Sequence, residues 1–125
     1  MTTQDKTLLV VVDDLMFTVK ISDAAKRAGL LPQFVKSEQD VLDKAKQKPL
    51  LIILDLNAGS VQPLDLIAKL KEHPETKDVN LLAYLSHVQG ELKQQAHDAG
   101  ADMVMTRSAF SQNLPQILKR HAGVM

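Results

Sequence analysis

The sequence predicts an α/β fold in which five successive βα units form a doubly wound, parallel five-stranded sheet of order 2-1-3-4-5. Two observations support this prediction. Short apolar runs, of the kind buried on both faces of a parallel sheet, alternate along the chain with amphipathic stripes of helical period. Glycine and proline residues separate the two kinds of segment. Right-handed crossovers between parallel strands then place helices on both faces of the sheet.

The apolar run Leu-Ile-Ile-Leu at 51–54 is expected to be the central strand, because it leads directly into Asp55-Leu-Asn57. A second run, Leu-Leu-Val-Val-Val at 8–12, leads into Asp13-Asp14 in the same way. The remaining strands are shorter and are predicted at residues 33–35, 80–85 and 103–105.

Apolar stripes and terminal residues indicate the helices between these strands. Ser37-Glu-Gln-Asp40 resembles a capping box, with Asp in place of the usual Glu or Gln. Pro63 suits a first helical turn, where its missing N–H has no partner to lose. Pro115 is expected to begin the last helix, because proline disrupts a helix interior. The five helices are therefore predicted over residues 15–28 before Gly29, from Ser37 until Lys-Gln-Lys-Pro49 breaks the helix, from Pro63 to about His73, from about Leu92 to Gly100, and from near Pro115 onward.

Composition indicates one globular domain over residues 1–125, with no output domain. Fifteen basic residues balance fifteen acidic ones, so charge gives no support for nucleic-acid or membrane-surface binding. The chain has no cysteine, which excludes disulfides and thiolate chemistry. No apolar run approaches the ~20 residues that span a bilayer, and no signal-peptide pattern opens the sequence. A cytoplasmic location is expected.

Carboxylates follow the first and the central strand, which are neighbours at the predicted switch point of the sheet. If Asp13, Asp14 and Asp55 approach to ~5 Å, each pair repels by roughly 3 kcal/mol at an effective dielectric constant near 20. Such a site must protonate one group or hold a cation, and oxygen ligands favour Mg²⁺. Ser86 and Arg107 follow the two remaining strands at this edge and could contact a phosphoryl group. An aspartate can itself accept that group as an acyl phosphate.

With these residues the chain resembles the receiver domain of bacterial two-component response regulators, of the stand-alone chemotaxis type and flavodoxin-like topology, over nearly its whole length. The matching segments are Val10-Val-Val-Asp13-Asp14, Ile53-Leu-Asp-Leu-Asn57, Ala83–Ser86, Ala99-Gly-Ala101 and the seven-residue step from Gly100 to Arg107.

The resemblance implies that a histidine kinase or phosphotransfer protein phosphorylates Asp55. It further implies that Asp14, Asp55 and the Asn57 carbonyl coordinate Mg²⁺, with Asp13 acting through water. Ser86 would hydrogen-bond the phosphoryl group, and Arg107 would be the basic residue of the site. Output would pass to a downstream protein, with no enzymatic turnover beyond phosphorylation and dephosphorylation of Asp55. A homodimer through the last helices stays open.

Several positions depart from the pattern of the receiver family. The usual Lys-Pro pair is Arg107-Ser108, and Arg differs from Lys in reach and geometry. The aromatic residue three positions earlier is Val104. The remaining departures are Ala58-Gly59 and Gln62-Pro63 in the loop after Asp55, and His87 where the family has a small residue. These departures leave Asp13, Asp14 and Asp55 unchanged. They concern positions that take part in the conformational switch of the receiver family.

Other interpretations of the same residues stay open. The chain could be a degenerate receiver that acts as a phosphorylation-independent interaction module. A flavin-phosphate binder shares the topology, but two acids after the first strand would repel its phosphate. A small hydrolase with Asp55 as nucleophile shares it too, but the sequence offers no cap segment or obvious general acid to shape a pocket. Asp13-Asp14 could simply cap a helix, Ser86 could begin a loop, and Arg107 could be a surface cation. Tyr84 is expected in the core with its hydroxyl near a polar edge. His73, His97 and His121 are expected to be solvated.

Overall fold

A computed structural model describes residues 6–86 and 90–122 of the chain. Five strands alternate with five helices, and their bounds follow in chain order: β1 Thr7–Val11, α1 Leu15–Arg27, β2 Leu31–Phe34, α2 Glu38–Ala45, β3 Leu51–Asp55, α3 Pro63–Glu72, β4 Leu81–Leu85, α4 Gly90–Ala99, β5 Met103–Thr106 and α5 Arg107–His121. The predicted α/β class is confirmed. The prediction about His87 lies outside the described residues.

The five strands form one parallel sheet of order β2-β1-β3-β4-β5, as predicted. In this register Val11 pairs with Leu54, and Asp55 pairs with Tyr84. The ends of β1, β3 and β4 are therefore level with one another. Residues that follow these strands meet at one edge of the sheet.

Two apolar clusters fill the space between the sheet and its helices, one on each face. The strand period of two divides each strand between the clusters, so that Leu9 and Val11 face one and Leu8 and Val10 face the other. Every residue of β3 is buried. Burial of β3 on both faces explains why its sequence is a continuous apolar run rather than an alternating one.

The last helix begins eight residues earlier than predicted. Thr106 caps α5 by accepting a hydrogen bond from the Ala109 N–H at 3.2 Å, and Pro115 lies inside the helix. The apolar stripe is buried along α5 on both sides of the proline, at Phe110, Leu114, Ile117 and Leu118. Pro115 itself is exposed, so water can hydrogen-bond the helix carbonyl that the proline leaves unpaired. The prediction that this helix begins near Pro115 was wrong, because it gave the proline more weight than the packing of the apolar stripe.

The second strand also begins earlier than predicted, at Leu31 rather than at residue 33. Pro32 lies within β2, which is tolerated because β2 is an edge strand and a proline there need not donate to a neighbour. The other helix ends agree with the sequence. Gly29 has φ +76 after α1, and Ser37 caps α2 by accepting from the Asp40 N–H at 3.2 Å. Among the described helices, none is both long and apolar enough to cross a membrane.

Candidate functional site

Asp55 lies at the end of the central strand β3 and is the one buried carboxylate among the described residues, with 4% of its surface exposed. Its Oδ1 accepts a hydrogen bond from the Asn57 N–H at 2.8 Å. Within residues 6–86 and 90–122, no donor contacts its Oδ2. Burial raises the pKa of Asp55, while the Asn57 N–H and the charge of Arg107 oppose the rise and Asp13 and Asp14 add to it.

Asp13 is held by the loop between β3 and α3. Its Oδ2 accepts the N–H groups of Gly59 and Ser60 at 2.7 and 3.1 Å, and its Oδ1 accepts the Ser60 hydroxyl at 2.9 Å. Partial burial tends to raise the pKa of Asp13, but these hydrogen bonds hold it below its usual value. Both carboxylate oxygens of Asp13 are thus engaged by the chain itself.

Asp14 accepts hydrogen bonds from three groups, two at one carboxylate oxygen and one at the other. Its Oδ1 accepts the N–H groups of Met16 and Phe17 at 2.8 and 3.4 Å, which caps the first turn of α1. Its Oδ2 accepts a hydrogen bond from Arg107 Nη2 at 3.0 Å. The structure therefore confirms that Asp14 caps α1, while its role as a metal ligand stays a prediction.

Arg107 begins α5 directly after β5, and its guanidinium lies on an aromatic stack. The guanidinium carbon is 4.8 Å from the centroid of the Phe17 ring. That ring stacks on Tyr84 at 5.2 Å, and Tyr84 stacks on Phe110 at 4.6 Å. Neither Arg107 Nε nor the Tyr84 hydroxyl has a hydrogen-bond partner among the described residues, although both atoms are buried. An ion pair on one side and a ring on the other thus fix the orientation of the guanidinium.

Ser86, which follows β4, pairs with Asn57. The Ser86 hydroxyl and its N–H both donate to Asn57 Oδ1, at 2.7 and 2.8 Å. The sequence drew attention to the Asn57 carbonyl, whereas in the structure the side-chain amide oxygen joins the ends of β3 and β4. Ser86 is consequently held close to the Asp55 loop by a pair of short hydrogen bonds.

The structure brings the predicted residues to one edge of the sheet but joins them to partners that the sequence did not indicate. Gly59, Ser60 and Phe17 were missed as site residues. The glycine and serine of the loop were a usable signal for backbone donors, whereas Phe17 was predicted only as part of an apolar helix stripe. Within the described ranges, no three His, Asp or Glu side chains are grouped to hold a metal ion. The donor set is nevertheless the oxygen-only kind that suits Mg²⁺.

No family model matches the chain, and no curated protein matches it. Solved structures do match over nearly the whole length. A putative response regulator from Chloroflexus aurantiacus is 22% identical and has a TM-score of 0.80, with 94% of this chain and 98% of that chain covered.

Two further matches have similar coverage. One is the receiver domain of the sensor histidine kinase PA1611 from Pseudomonas aeruginosa, whose structure holds a magnesium ion in the active-site cleft. It is 18% identical to this chain, with a TM-score of 0.79, and the match covers 94% of this chain and 98% of that chain. The chemotaxis response regulator CheY4 of Vibrio cholerae is 20% identical with a TM-score of 0.77, with 92% and 97% covered. The chain therefore has the fold of response-regulator receiver domains.

Proposed function

We propose that the chain is a phosphoacceptor receiver of a two-component phosphorelay and that Asp55 is the residue phosphorylated. The observation that carries the proposal is the environment of Asp55. Its carboxylate ends the central strand, one oxygen is oriented by the Asn57 N–H, and no described donor occupies the other. An oriented carboxylate with one unoccupied oxygen is suited to act as a nucleophile.

In the proposed transfer, Asp55 Oδ2 attacks the phosphorus of a phosphohistidine on a histidine kinase or phosphotransfer protein. A P–O bond forms as the P–N bond breaks, and the departing imidazole nitrogen keeps the bonding pair and takes a proton from solvent. The product is an acyl phosphate on Asp55. Arg107 and the Ser86 hydroxyl, which follow β5 and β4, are the nearby groups able to hydrogen-bond the phosphoryl oxygens.

Mg²⁺ is part of this proposal. Asp13, Asp14, Asp55 and the Asn57 carbonyl would hold the ion, which would supply positive charge against the phosphoryl oxygens. In the structure, Asp13 is bound to the loop at Gly59 and Asp14 to Arg107. A bound ion would therefore share these carboxylates with the loop and with Arg107, and its charge would repel the guanidinium.

The surface beside the site supports a protein as phosphoryl donor. Leu15, Met16 and Val19 of α1 are exposed by 78, 69 and 60%, which is unusual for large apolar side chains grouped on one helix. A groove of about 430 Å³ lies between α1 and α5, and Met16, Ser86 and Arg107 are among its lining residues. An apolar surface next to the acceptor residue is suited to dock a helix of a donor protein. Output would follow through contact with a further protein.

The experiment that tests the proposal is the intact mass of the protein after incubation with acetyl phosphate and Mg²⁺. We expect the mass of one phosphoryl group to be added to the wild type and not to Asp55→Asn. Asp40→Asn, which removes an exposed carboxylate on α2, is the matched control and should be modified like the wild type. An unmodified wild type, or a modified Asp55→Asn variant, would contradict the proposal.

A second candidate is a constitutive interaction module with the same fold. Two observations favour it: the Asp14–Arg107 pair, and Val104, which is buried at the position where the family carries its mobile aromatic residue. Beryllium fluoride with Mg²⁺ distinguishes the two candidates, because it mimics a phosphoryl group. A receiver that switches would show amide shift changes near Ser86 and Val104, and a constitutive module would show none.

A further inference from the structure

The Asp14 carboxylate is already neutralised by a cation of the chain itself. Arg107 Nη2 lies 3.0 Å from Asp14 Oδ2, while Asp14 Oδ1 is committed to the first turn of α1. A divalent ion that used Asp14 would lie next to the guanidinium, because Arg107 already bonds the oxygen that does not cap α1. The two positive charges would repel each other, so the ion would bind more tightly with the guanidinium moved away.

The position of Arg107 is fixed by contact with a stack of buried aromatic rings. Its guanidinium faces the Phe17 ring, and that ring is one end of the stack that continues through Tyr84 to Phe110. These three aromatic residues are buried, so their positions are fixed by the core. An arginine that is already ordered loses little further side-chain entropy when it pairs with a carboxylate, which makes the pair stronger than that of a mobile lysine.

We propose that Arg107 and a divalent cation compete for Asp14, so that the guanidinium acts as a built-in counter-charge that lowers the metal affinity of the site. This inference deepens the proposed function, because it concerns the same acids. The charge of Arg107 also opposes the burial of Asp55, which is the task that a bound cation would perform. The resting site is therefore held together by arginine, and metal enters when the Asp14–Arg107 contact opens.

The test is direct binding of Mn²⁺, measured by electron paramagnetic resonance of the free ion, with no phosphoryl donor present. We expect Arg107→Gln to bind Mn²⁺ on the order of five- to tenfold more tightly than the wild type, as for a modest coupling between two sites. Arg107→Lys keeps the charge but loses the guanidinium that lies over Phe17, so its Mn²⁺ affinity should lie between those of the wild type and Arg107→Gln.

The matched control is Arg27→Gln, which removes the same charge from the distant end of α1. Arg27 is also paired with a carboxylate, Asp23, at 3.1 Å, but that pair is exposed and lies outside the site. Its Mn²⁺ affinity should stay within about twofold of the wild type, because exposed charges are screened. Far-UV circular dichroism of each variant establishes that it is folded.

Three results would overturn the inference. They are equal affinities of wild type and Arg107→Gln, weaker binding by Arg107→Gln, and an equal gain in Arg27→Gln, which would make the effect one of net charge. Failure of phosphoryl transfer to Asp55 is a separate result, because the Mn²⁺ measurement uses no phosphoryl donor. A tighter Arg107→Gln in a protein that is never phosphorylated would leave the competition standing and remove only the proposed function.

Discussion

Replacement of Tyr84 by phenylalanine should stabilise the protein. Tyr84 is fully buried between two aromatic rings, and no described residue offers a hydrogen-bond partner to its hydroxyl. A buried hydroxyl without a partner destabilises the folded state by about 1–3 kcal/mol. Its removal relieves this cost, but the small void left behind is itself destabilising and offsets part of the gain. We therefore expect the free energy of unfolding to rise by about 1–2 kcal/mol, or Tm by roughly 4–8 °C.

The assay is urea unfolding followed by far-UV circular dichroism, because Tyr84 is the only tyrosine and the chain has no tryptophan. Phe110→Leu is the matched control in the same stack and should lose about 1–2 kcal/mol through its missing ring atoms. A Tyr84→Phe variant less stable than the wild type by 1 kcal/mol or more would refute the reasoning, since it would mean that the hydroxyl is hydrogen-bonded.

Three further predictions concern stability. Burial raises the folded-state pKa of Asp55, so its stabilising contribution is complete below the unfolded-state pKa and is lost as the pH rises through the folded-state value. Asp55→Asn should therefore be more stable than the wild type at neutral pH, and urea unfolding at a series of pH values should show this difference shrinking in acid. A difference that widens in acid would contradict this prediction. Pro115→Ala should restore a hydrogen bond inside α5 and raise stability by up to about 3 kcal/mol in thermal unfolding; a lower Tm would count against it. Gly100→Ala should lose about 1–3 kcal/mol, because φ is +117 and the new Cβ would lie 2.7 Å from Lys71 Cγ; unchanged stability would be inconsistent with that strain.

The elements of the fold could be predicted because each depends on local patterns that tertiary structure reinforces. The buried strand β3 is recognisable from its continuous apolar run, and Ser37 and Gly29 mark helix ends through their own backbone preferences. Pro115 was misinterpreted because the local rule and the packing of α5 conflict there. Four buried apolar residues outweigh one lost hydrogen bond on the exposed side of the helix.

The position of the acids at one edge of the sheet could be predicted from the sequence, but their long-range hydrogen-bond partners could not. Asp13, Asp14 and Asp55 follow recognisable strands, and the sheet order brings them to one edge. The contacts of Asp13 with Gly59 and of Asp14 with Arg107 span 46 and 93 residues, so they depend on loop conformation and side-chain orientation that no local pattern encodes. The metal prediction was based on acids alone and took no account of arginine as a counter-charge.

Arginine in place of lysine gives the site a different resting state. The Arg107 guanidinium lies over the Phe17 ring and pairs with Asp14 at the same time, and its planar group with several donors suits both contacts better than a compact ammonium group. Both members of this pair are partly exposed, so the pair contributes only about 0.3–1 kcal/mol to stability. Under the proposed function, its importance lies in which cation, Arg107 or a metal ion, neutralises the acids before phosphoryl transfer.

The central claim is that Asp55, and no other carboxylate, accepts the phosphoryl group. It is tested most directly by borohydride reduction after incubation with acetyl phosphate, since reduction converts a phosphorylated aspartate into homoserine that peptide mass spectrometry can locate. We predict homoserine at Asp55 alone, and none there when the phosphoryl donor is omitted. Homoserine at Asp13 or Asp14, or none anywhere in the chain, would contradict the account.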